Sequence, residues 1–295
     1  MTPRNTLNIA IIHNYDKKRL LYLYPKLQEL KNSLNGVINV NVEEYGFQST
    51  AQGFRRQNFF KLVYSQFGES FRYFVANRKW ERYKKNGNSM LFLSFLRQII
   101  YFFMPIKSFN ERLKRNFIKS EKNKAIFEKH LRAWTDFLET KDSQQFLLVL
   151  EDDVIFTGNS YLKFCELFDD FLENNSLAEL PIFIDLAGGL ELEKLKISNL
   201  IDCRSEFNIL FLKPVTNTAC AYILNYRTAE IFYNTISAEP RLKNFGPDWA
   251  MNMIFVKSEN LFLPSLCKHY QPSVFIHGSF AGDYESSVQN HDPNK

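Results

Sequence analysis

Cysteine, glycine and proline are scarce in this sequence. Its 295 residues include four cysteines, 11 glycines and 10 prolines. The cysteines (Cys165, Cys203, Cys220 and Cys267) lie far apart without a CxxC pair, so they indicate neither a zinc site nor a disulfide framework, and buried free thiols are expected. With 45% hydrophobic and 23% charged residues, the composition excludes a disordered chain and predicts a globular one.

Long apolar runs are missing as well. The first apolar stretch, Leu7–His13 (LNIAIIH), follows Arg4 but is too short for the apolar region of a secretory signal, and no small-residue cleavage site follows it. No apolar run comes near the roughly 20 residues that a membrane-spanning helix requires. We therefore expect a cytoplasmic protein whose first strand is Leu7–Ile12.

Positive charge is concentrated in one segment. The formal net charge is +5, and residues 55–129 are strongly basic, interleaved with aromatic residues around an apolar stretch, Met90–Ile106. This stretch fits either a helix lying among lipid headgroups or a core helix flanked by solvated basic residues. A nucleic-acid surface is disfavoured, because no RNP, KH, helix-turn-helix or zinc-finger pattern accompanies it. We expect a mostly helical insertion that faces an anionic membrane or a phosphate-bearing acceptor.

The rest of the chain alternates strands with helices. Leu7–Ile12, Lys17–Ser33 and Val37–Glu43 form a βαβ pattern. The later predicted elements are helix Lys122–Glu139, buried strand Phe146–Leu150, helix Ser160–Glu173, strands Pro181–Leu186 and Ala219–Leu224, and helix Thr228–Ser237. We find no internal repeat or low-complexity linker. The pattern predicts one α/β domain over residues 1–295, with the basic insertion at 55–129.

Three consecutive carboxylates follow the buried strand in FLLVLEDDVIF, namely Glu151, Asp152 and Asp153. Like charges on adjacent residues repel, and each is costly to bury without a partner, so we expect a cation beside them. Ligands of open α/β sheets bind beyond the carboxyl ends of the strands. Carboxylate oxygens there suit Mg²⁺ or Mn²⁺. The triplet predicts a divalent-metal site, and the alternative is a helix-capping or turn role.

The acidic motif also carries a family resemblance. Leu148–Ile155 (LVLEDDVI) resembles the signature of glycosyltransferase family 25, the lipopolysaccharide-type glycosyltransferases. Further segments are similar to that family in the same order: Leu7–Arg19, His130–Trp134 (HLRAW), Thr218–Leu224 (TACAYIL) and Gly246–Asp248 (GPD). The resemblance implies a GT-A-like fold, in which a Rossmann-like mixed sheet is flanked by helices. It also implies a metal-dependent, inverting transfer of a hexose, with galactose expected, from a UDP-sugar. The implied acceptor is a glycan or glycolipid of lipooligosaccharide or capsule type, at the inner face of the cytoplasmic membrane.

The same resemblance suggests roles for individual residues. Asp153, with Asp152 close by, holds a metal that neutralises the charge developing on the diphosphate leaving group. Glu151 orients the ribose or a water near the metal, or it accepts hydrogen bonds from backbone donors at the turn. His277, in an expected loop after a strand, is a candidate nitrogen ligand among oxygens, and the alternative is a solvated or core histidine. His13, at the end of the first strand, is placed to reach the nucleotide base or phosphate.

Asp248 is the candidate base that takes the proton from the acceptor hydroxyl. It begins an apolar helix in GPDWAMNMIF, where it is either this base or only the N-cap. Trp249 either stacks on a sugar ring or belongs to the core. Two other classes stay open. A metal-dependent phosphoesterase or nuclease commonly needs a second ligand cluster, and a non-catalytic membrane-associated adaptor would leave the acidic triplet unexplained.

Overall fold

The structure is a computed structural model. It describes residues 6–34, 39–46, 106–141, 145–173, 180–187, 203–204, 209–210, 219–258, 267–271 and 273–281. Residues 55–105 of the predicted insertion therefore lie outside the described residues. This part includes nearly all of the apolar stretch Met90–Ile106. The side chain of Trp249 lies outside them too.

The described elements run in this order: β1 (Thr6–His13), α1 (Lys17–Leu34), β2 (Asn39–Gly46), α2 (Ile106–Glu139), β3 (Gln145–Glu151), β4 (Val154–Phe156), α3 (Ser160–Glu173), β5 (Phe183–Asp185), β6 (Cys203–Arg204), β7 (Ile209–Leu210), β8 (Ala221–Asn225), α4 (Tyr226–Ala238), a 3₁₀ helix (Pro240–Asn244), α5 (Pro247–Lys257), β9 (Cys267–Gln271), β10 (Phe275–His277) and α6 (Gly278–Ala281).

The main sheet has the strand order β2, β1, β3, β8, β5, β9, β7, β6, and β4 pairs with β10 separately. Strand β1 runs parallel to both β2 and β3. Strand β8 lies antiparallel between β3 and β5. The protein is therefore mixed α/β with a mixed parallel and antiparallel sheet, which is compatible with the predicted Rossmann-like fold.

The described elements differ from the predicted ones mainly at their ends. Helix α3 has the predicted bounds, Ser160–Glu173. Helix α2 begins at Ile106 rather than at the predicted Lys122. It starts directly after Pro105, and residues 106–121 contain neither glycine nor proline, so nothing in that stretch interrupts a helix. The predicted strand Pro181–Leu186 is shorter, because only Phe183–Asp185 pair in the sheet.

The apolar run of β3 is explained by burial on both faces of the sheet. Leu148 and Leu150 lie in a core cluster with residues of α1 and α3. Leu147 and Val149 point the other way, into a second cluster with residues of α2 and α4. Successive side chains of a strand alternate between faces, so a strand covered on both sides is apolar at every position. Burying each of these side chains contributes about 1.5–3 kcal/mol.

The last part of the predicted insertion belongs to this core. Phe127 and Lys129, near the C-terminal end of α2, are buried. The Lys129 Nζ donates to the carbonyl oxygen of His13 at 2.7 Å and to Asn14 Oδ1. Lys129 therefore lies inside the domain and is not part of a basic surface. Among the described helices, none combines the length and the apolar composition needed to cross a membrane.

A buried ion pair joins the loop after β1 to the end of β3. Arg19 Nη1 donates to Asp152 Oδ1 at 2.8 Å, with side chains that are 9% and 5% exposed. Asp152 Oδ2 accepts from the backbone N–H of Asn14 at 3.0 Å, and the Asp152 N–H donates to the carbonyl oxygen of Ile12 at 2.9 Å. Asp16 Oδ1 accepts from the N–H groups of Lys18 and Arg19, as an N-cap does. These bonds hold the loop and the start of α1 against β3.

The substitution Arg19→Met should destabilise the protein by about 3–5 kcal/mol, because it leaves the Asp152 carboxylate buried without its cation. The matched control is Arg132→Met. Arg132 forms an ion pair with Asp136 at 3.6 Å, but its side chain is 63% exposed, so the loss should be about 0–1 kcal/mol. Urea denaturation measures both free energies of unfolding. Equal losses in the two variants would contradict a structural role for the buried pair.

Candidate functional site

The turn after β3 brings Asp153 next to His277. Strands β4 and β10 are antiparallel, with His277 opposite Val154, and the Gly278 N–H donates to the carbonyl oxygen of Asp153 at 2.8 Å. This pairing places His277 Nδ1 3.5 Å from Asp153 Oδ2. Ser279 Oγ donates to the same carboxylate oxygen. Two residues that are distant in sequence, and that were both predicted as metal ligands, therefore lie together.

Cys220 completes this cluster. It directly precedes β8, and its carbonyl oxygen accepts from the Glu151 N–H at 2.7 Å. Its Sγ donates to Asp153 Oδ1 at 3.5 Å. The three possible ligand atoms, one each from Asp153, Cys220 and His277, lie within 4.8 Å of one another. Among the described residues, this is the one group of three or more His, Cys, Asp or Glu side chains that could hold a metal ion. Burial, with the Asp153 carboxylate adding to it, raises the pKa of the Cys220 thiol.

The donor set fits a single divalent ion. Asp153 offers a carboxylate oxygen and His277 an imidazole nitrogen, and the other positions of such an ion are normally completed by water or substrate phosphates. Both carboxylate oxygens of Asp152 already accept hydrogen bonds, from Arg19 and from the backbone N–H of Asn14. Asp152 therefore anchors the loop in this conformation, and Asp153 is the member of the acidic triplet that could hold an ion.

Glu151 is held by a chain of hydrogen bonds through the core. Trp134 Nε1 donates to the Tyr222 hydroxyl at 2.8 Å, and that hydroxyl lies 2.8 Å from His130 Nδ1. The hydroxyl still has its own proton to donate, and among its contacts in the described residues Nδ1 is the group that can accept it, so we expect the hydroxyl to donate to Nδ1. His130 then carries its proton on Nε2, which donates to Glu151 Oε1 at 3.1 Å. This series of hydrogen bonds thus orients the Glu151 carboxylate, and we call it the relay.

Burial shifts the pKa values of the two titratable residues in this relay, His130 and Glu151. It lowers the pKa of His130 to about 3, and the Lys129 ammonium adds to the effect. Burial also raises the pKa of Glu151, and the neighbouring Asp153 carboxylate acts in the same direction. The Glu151 side chain is 21% exposed, so it lies at the boundary between the buried relay and the open edge of the site.

Asp248 lies in the first turn of α5, but it is not the N-cap. That position belongs to Gly246, which makes no side-chain cap hydrogen bond. The Asp248 carboxylate is half-buried. Its negative charge favours the protonated form of His130 and so acts to raise the pKa of that ring, against the larger effect of burial. Asp248 is therefore brought to the neighbourhood of the relay, and its role as a base stays a prediction.

His13 lies in a tight setting at the end of β1. Its ring is buried, Nδ1 accepts from the Tyr15 N–H at 3.2 Å, and Nε2 lies 3.6 Å from Glu44 Oε2. Burial lowers its pKa. Gly46 packs against the ring, where an added Cβ would come within 2.6 Å of His13 Cε1, so a larger residue at this position would require the His13 ring to move. The predicted contact of His13 with a nucleotide stays untested by this geometry.

Several residues of the site were not predicted from the sequence. Arg19 stands beside Lys17 and Lys18 in one basic turn, and nothing in that run distinguishes the buried cation from its exposed neighbours. Lys129 is hidden in the same way within the basic helix α2. Cys220 and Ser279 reach Asp153 only through strand pairing. Of the two cysteines whose side chains the structure describes, Cys220 is a buried free thiol, as expected, and Cys165 is a free thiol that is only half-buried.

The His130 ring should stay neutral, with its proton on Nε2, down to about pH 4, since its pKa is lowered to about 3. The unfolded chain binds this proton at about pH 6.5, so the residue makes the fold less stable as pH falls through that window. ¹⁵N NMR of histidine-labelled protein measures both properties. Tyr222→Phe, which removes the donor to Nδ1, should shift the Nδ1 resonance, and the matched Tyr226→Phe should not. A ring proton on Nδ1, or titration near pH 6.5, would refute the relay.

Comparison with known proteins leaves the assignment to the site itself. A scan against protein-family models gives no match, and a search of curated proteins gives no significant match. The chemistry of this protein therefore has to be argued from the side chains that meet at the carboxyl end of β3.

Proposed function

We propose that the protein is a metal-dependent, inverting glycosyltransferase of GT-A-like architecture. It transfers a hexose, with galactose favoured, from a UDP-sugar to a bacterial surface glycan such as lipooligosaccharide or capsule. The observation that carries the proposal is the meeting of Asp153 and His277, 3.5 Å apart, directly after the buried strand β3. The resemblance of LVLEDDVI to family 25 glycosyltransferases supports it from the sequence.

The position of the cluster in the sheet favours a nucleotide ligand. Strands β1, β2 and β3 are parallel, so their carboxyl ends meet at one edge, with His13, Gly46 and Glu151 as their last residues. Open α/β sheets bind their ligands in the crevice at this edge. The pyrophosphate of a sugar nucleotide would then lie near Asp153, where an ion held by the protein is needed to offset its charge.

Asp153 and His277 are the residues that would hold the ion. When bound, a divalent ion stabilises the negative charge that develops on the departing diphosphate. The protein's own groups prepare this site. Ser279 and Cys220 donate to the two oxygens of Asp153 and set the direction of its carboxylate. The relay from His130 holds Glu151 at the edge of the pocket, where it orients the ribose or a bound water.

Asp248 is proposed to take the proton from the acceptor hydroxyl. It lies in the first turn of α5, close enough to His130 for its charge to affect the pKa of that ring. The backbone N–H groups of a first turn favour a carboxylate over its protonated form. The basic segment 55–129 is proposed to bring the enzyme to an anionic membrane face or to a phosphate-bearing acceptor, with Lys129 excluded because it is buried.

The two alternatives are less well supported. A phosphoesterase that works with two metal ions commonly needs a second set of ligands, and the described part of the chain contains one cluster. An adaptor without activity would not require Asp153, Cys220 and His277 to converge. Neither alternative accounts for a buried relay that orients Glu151.

Donor binding should depend on a divalent ion and on Asp153. Isothermal titration with a panel of UDP-sugars should show one preferred donor in the presence of Mn²⁺ and none with chelator. Asp153→Asn keeps the size of the side chain but removes its charge, so it should abolish this binding while the protein stays folded. The control, Asp136→Asn on the surface of α2, should bind normally. Normal donor binding and turnover by Asp153→Asn would refute the proposal.

Replacement of Asp248 by Asn should affect turnover far more than donor binding. Loss of a general base commonly costs about 10²–10⁴-fold in rate, whereas loss of a carboxylate in the first turn of a helix costs about 0.3–1 kcal/mol of stability. Single-turnover kinetics with the preferred donor, together with thermal denaturation, separates the two effects. A stability loss with unchanged turnover would leave Asp248 as a helix-stabilising residue only.

A further inference from the structure

We propose that Cys220 is a third protein ligand of the ion held by Asp153 and His277, and that the site therefore takes a thiophilic divalent ion, of the zinc and cobalt class, in preference to Mg²⁺. The inference rests on the proposed function in one respect only, the presence of an ion at Asp153 and His277. It changes the expected chemistry of that ion, because the carboxylates in the sequence had pointed to Mg²⁺ or Mn²⁺.

The distances suit a tetrahedral ion. Zinc binds sulfur at about 2.3 Å and nitrogen or oxygen at about 2.0–2.2 Å, so tetrahedral ligand atoms lie roughly 3.3–3.6 Å apart. In the structure, Cys220 Sγ lies 3.5 Å from Asp153 Oδ1, and His277 Nδ1 lies 3.5 Å from Asp153 Oδ2. These two distances run to the two different oxygens of Asp153, and one ligand atom from each of the three residues lies within 4.8 Å of the others, so the three side chains would draw closer together around an ion. A fourth position remains for a water or a phosphate oxygen of the donor.

Backbone pairing holds the three ligands in place without an ion. The Glu151 N–H bonds the carbonyl oxygen of Cys220, and the Gly278 N–H bonds that of Asp153. His277 is fixed by the pairing of β10 with β4. The site is therefore largely preformed, and an ion would gain its ligands without ordering a loop. Access is from the edge where the His277 side chain is 12% exposed.

The Cys220 thiol has a different role with and without a bound ion. Without an ion, it donates its proton to Asp153. When an ion binds, the S–H bond breaks, the proton leaves to solvent, and the thiolate forms the bond to the metal, so the charge of the site changes by one. Thiolate sulfur selects zinc and similar ions, whereas Mg²⁺ takes oxygen ligands. Mg²⁺ would therefore be limited to the oxygens of Asp153 and of the substrate, and should bind more weakly.

Cobalt titration of the full chain tests this directly. Co²⁺ should give a thiolate-to-cobalt charge-transfer band in the near ultraviolet and the intense visible bands of a tetrahedral ion. Cys220→Ser should lose the charge-transfer band, and the matched control Cys165→Ser should keep it. Zinc affinity, measured by competition with a chromophoric chelator, should fall in Cys220→Ser by at least the roughly 10–100-fold that loss of a ligand's hydrogen-bond partner costs. A band that persists in Cys220→Ser would overturn the inference.

A second measurement needs no variant. X-ray absorption of the zinc-loaded wild-type chain should show one sulfur neighbour at about 2.3 Å, and a shell of nitrogen and oxygen only would overturn the inference even if Cys220→Ser fails to fold. The failure of the proposed function has a different signature. Sulfur ligation without transfer from any UDP-sugar would refute the transferase and leave the assignment of Cys220 as a ligand standing. Transfer with a shell of only oxygen and nitrogen would support the transferase and refute Cys220 as a ligand.

Discussion

Three adjacent carboxylates at the end of a buried strand are the constraint on which the rest of this structure depends. Each of them is stabilised by a different set of neighbours. Asp152 has a full cation, Arg19, at 2.8 Å; Glu151 has a neutral imidazole donor at 3.1 Å; and Asp153 has the hydroxyl of Ser279 and the thiol of Cys220. Since desolvation penalises each charge separately, the chain has to bring a partner to every one of them.

These partners come from widely separated parts of the chain, so the triplet also organises the topology. Arg19 comes from the start of α1, His130 from α2, Cys220 from the residue before β8, and Ser279 from the segment after β10. The main sheet and the short β4–β10 pair meet at this point. Removing one partner of a buried charge is costly. The residues that surround the triplet are therefore needed by the fold as well as by the proposed chemistry.

The sequence predicted the local features of the fold and few of the contacts between distant segments. Helix α3 was predicted with its bounds because its apolar spacing is regular, and β3 because both of its faces are apolar. The antiparallel position of β8 between β3 and β5 could not be derived, since nothing in AYILN indicates the direction of its partners. Asp153 and His277 were both named as ligands, but their proximity depends on the pairing of β4 with β10. Arg19 was inseparable from Lys17 and Lys18, because burial alone distinguishes them.

The proposed metal preference and the proposed transfer reaction place different demands on the same cluster. Neutralising a departing diphosphate requires positive charge at the right place, and any divalent ion supplies it. Selecting one ion over another depends on the softness of the ligands, and here Asp153 is hard, His277 borderline and Cys220 soft. The carboxylates that are visible in the sequence lead to a hard ion. Cys220 alters that balance, and it reaches Asp153 because β8 lies next to β3 in the sheet rather than because of any sequence motif. A donor that adds phosphate oxygens shifts it back, so the ion preferred by the free protein need not be the one preferred in its complex.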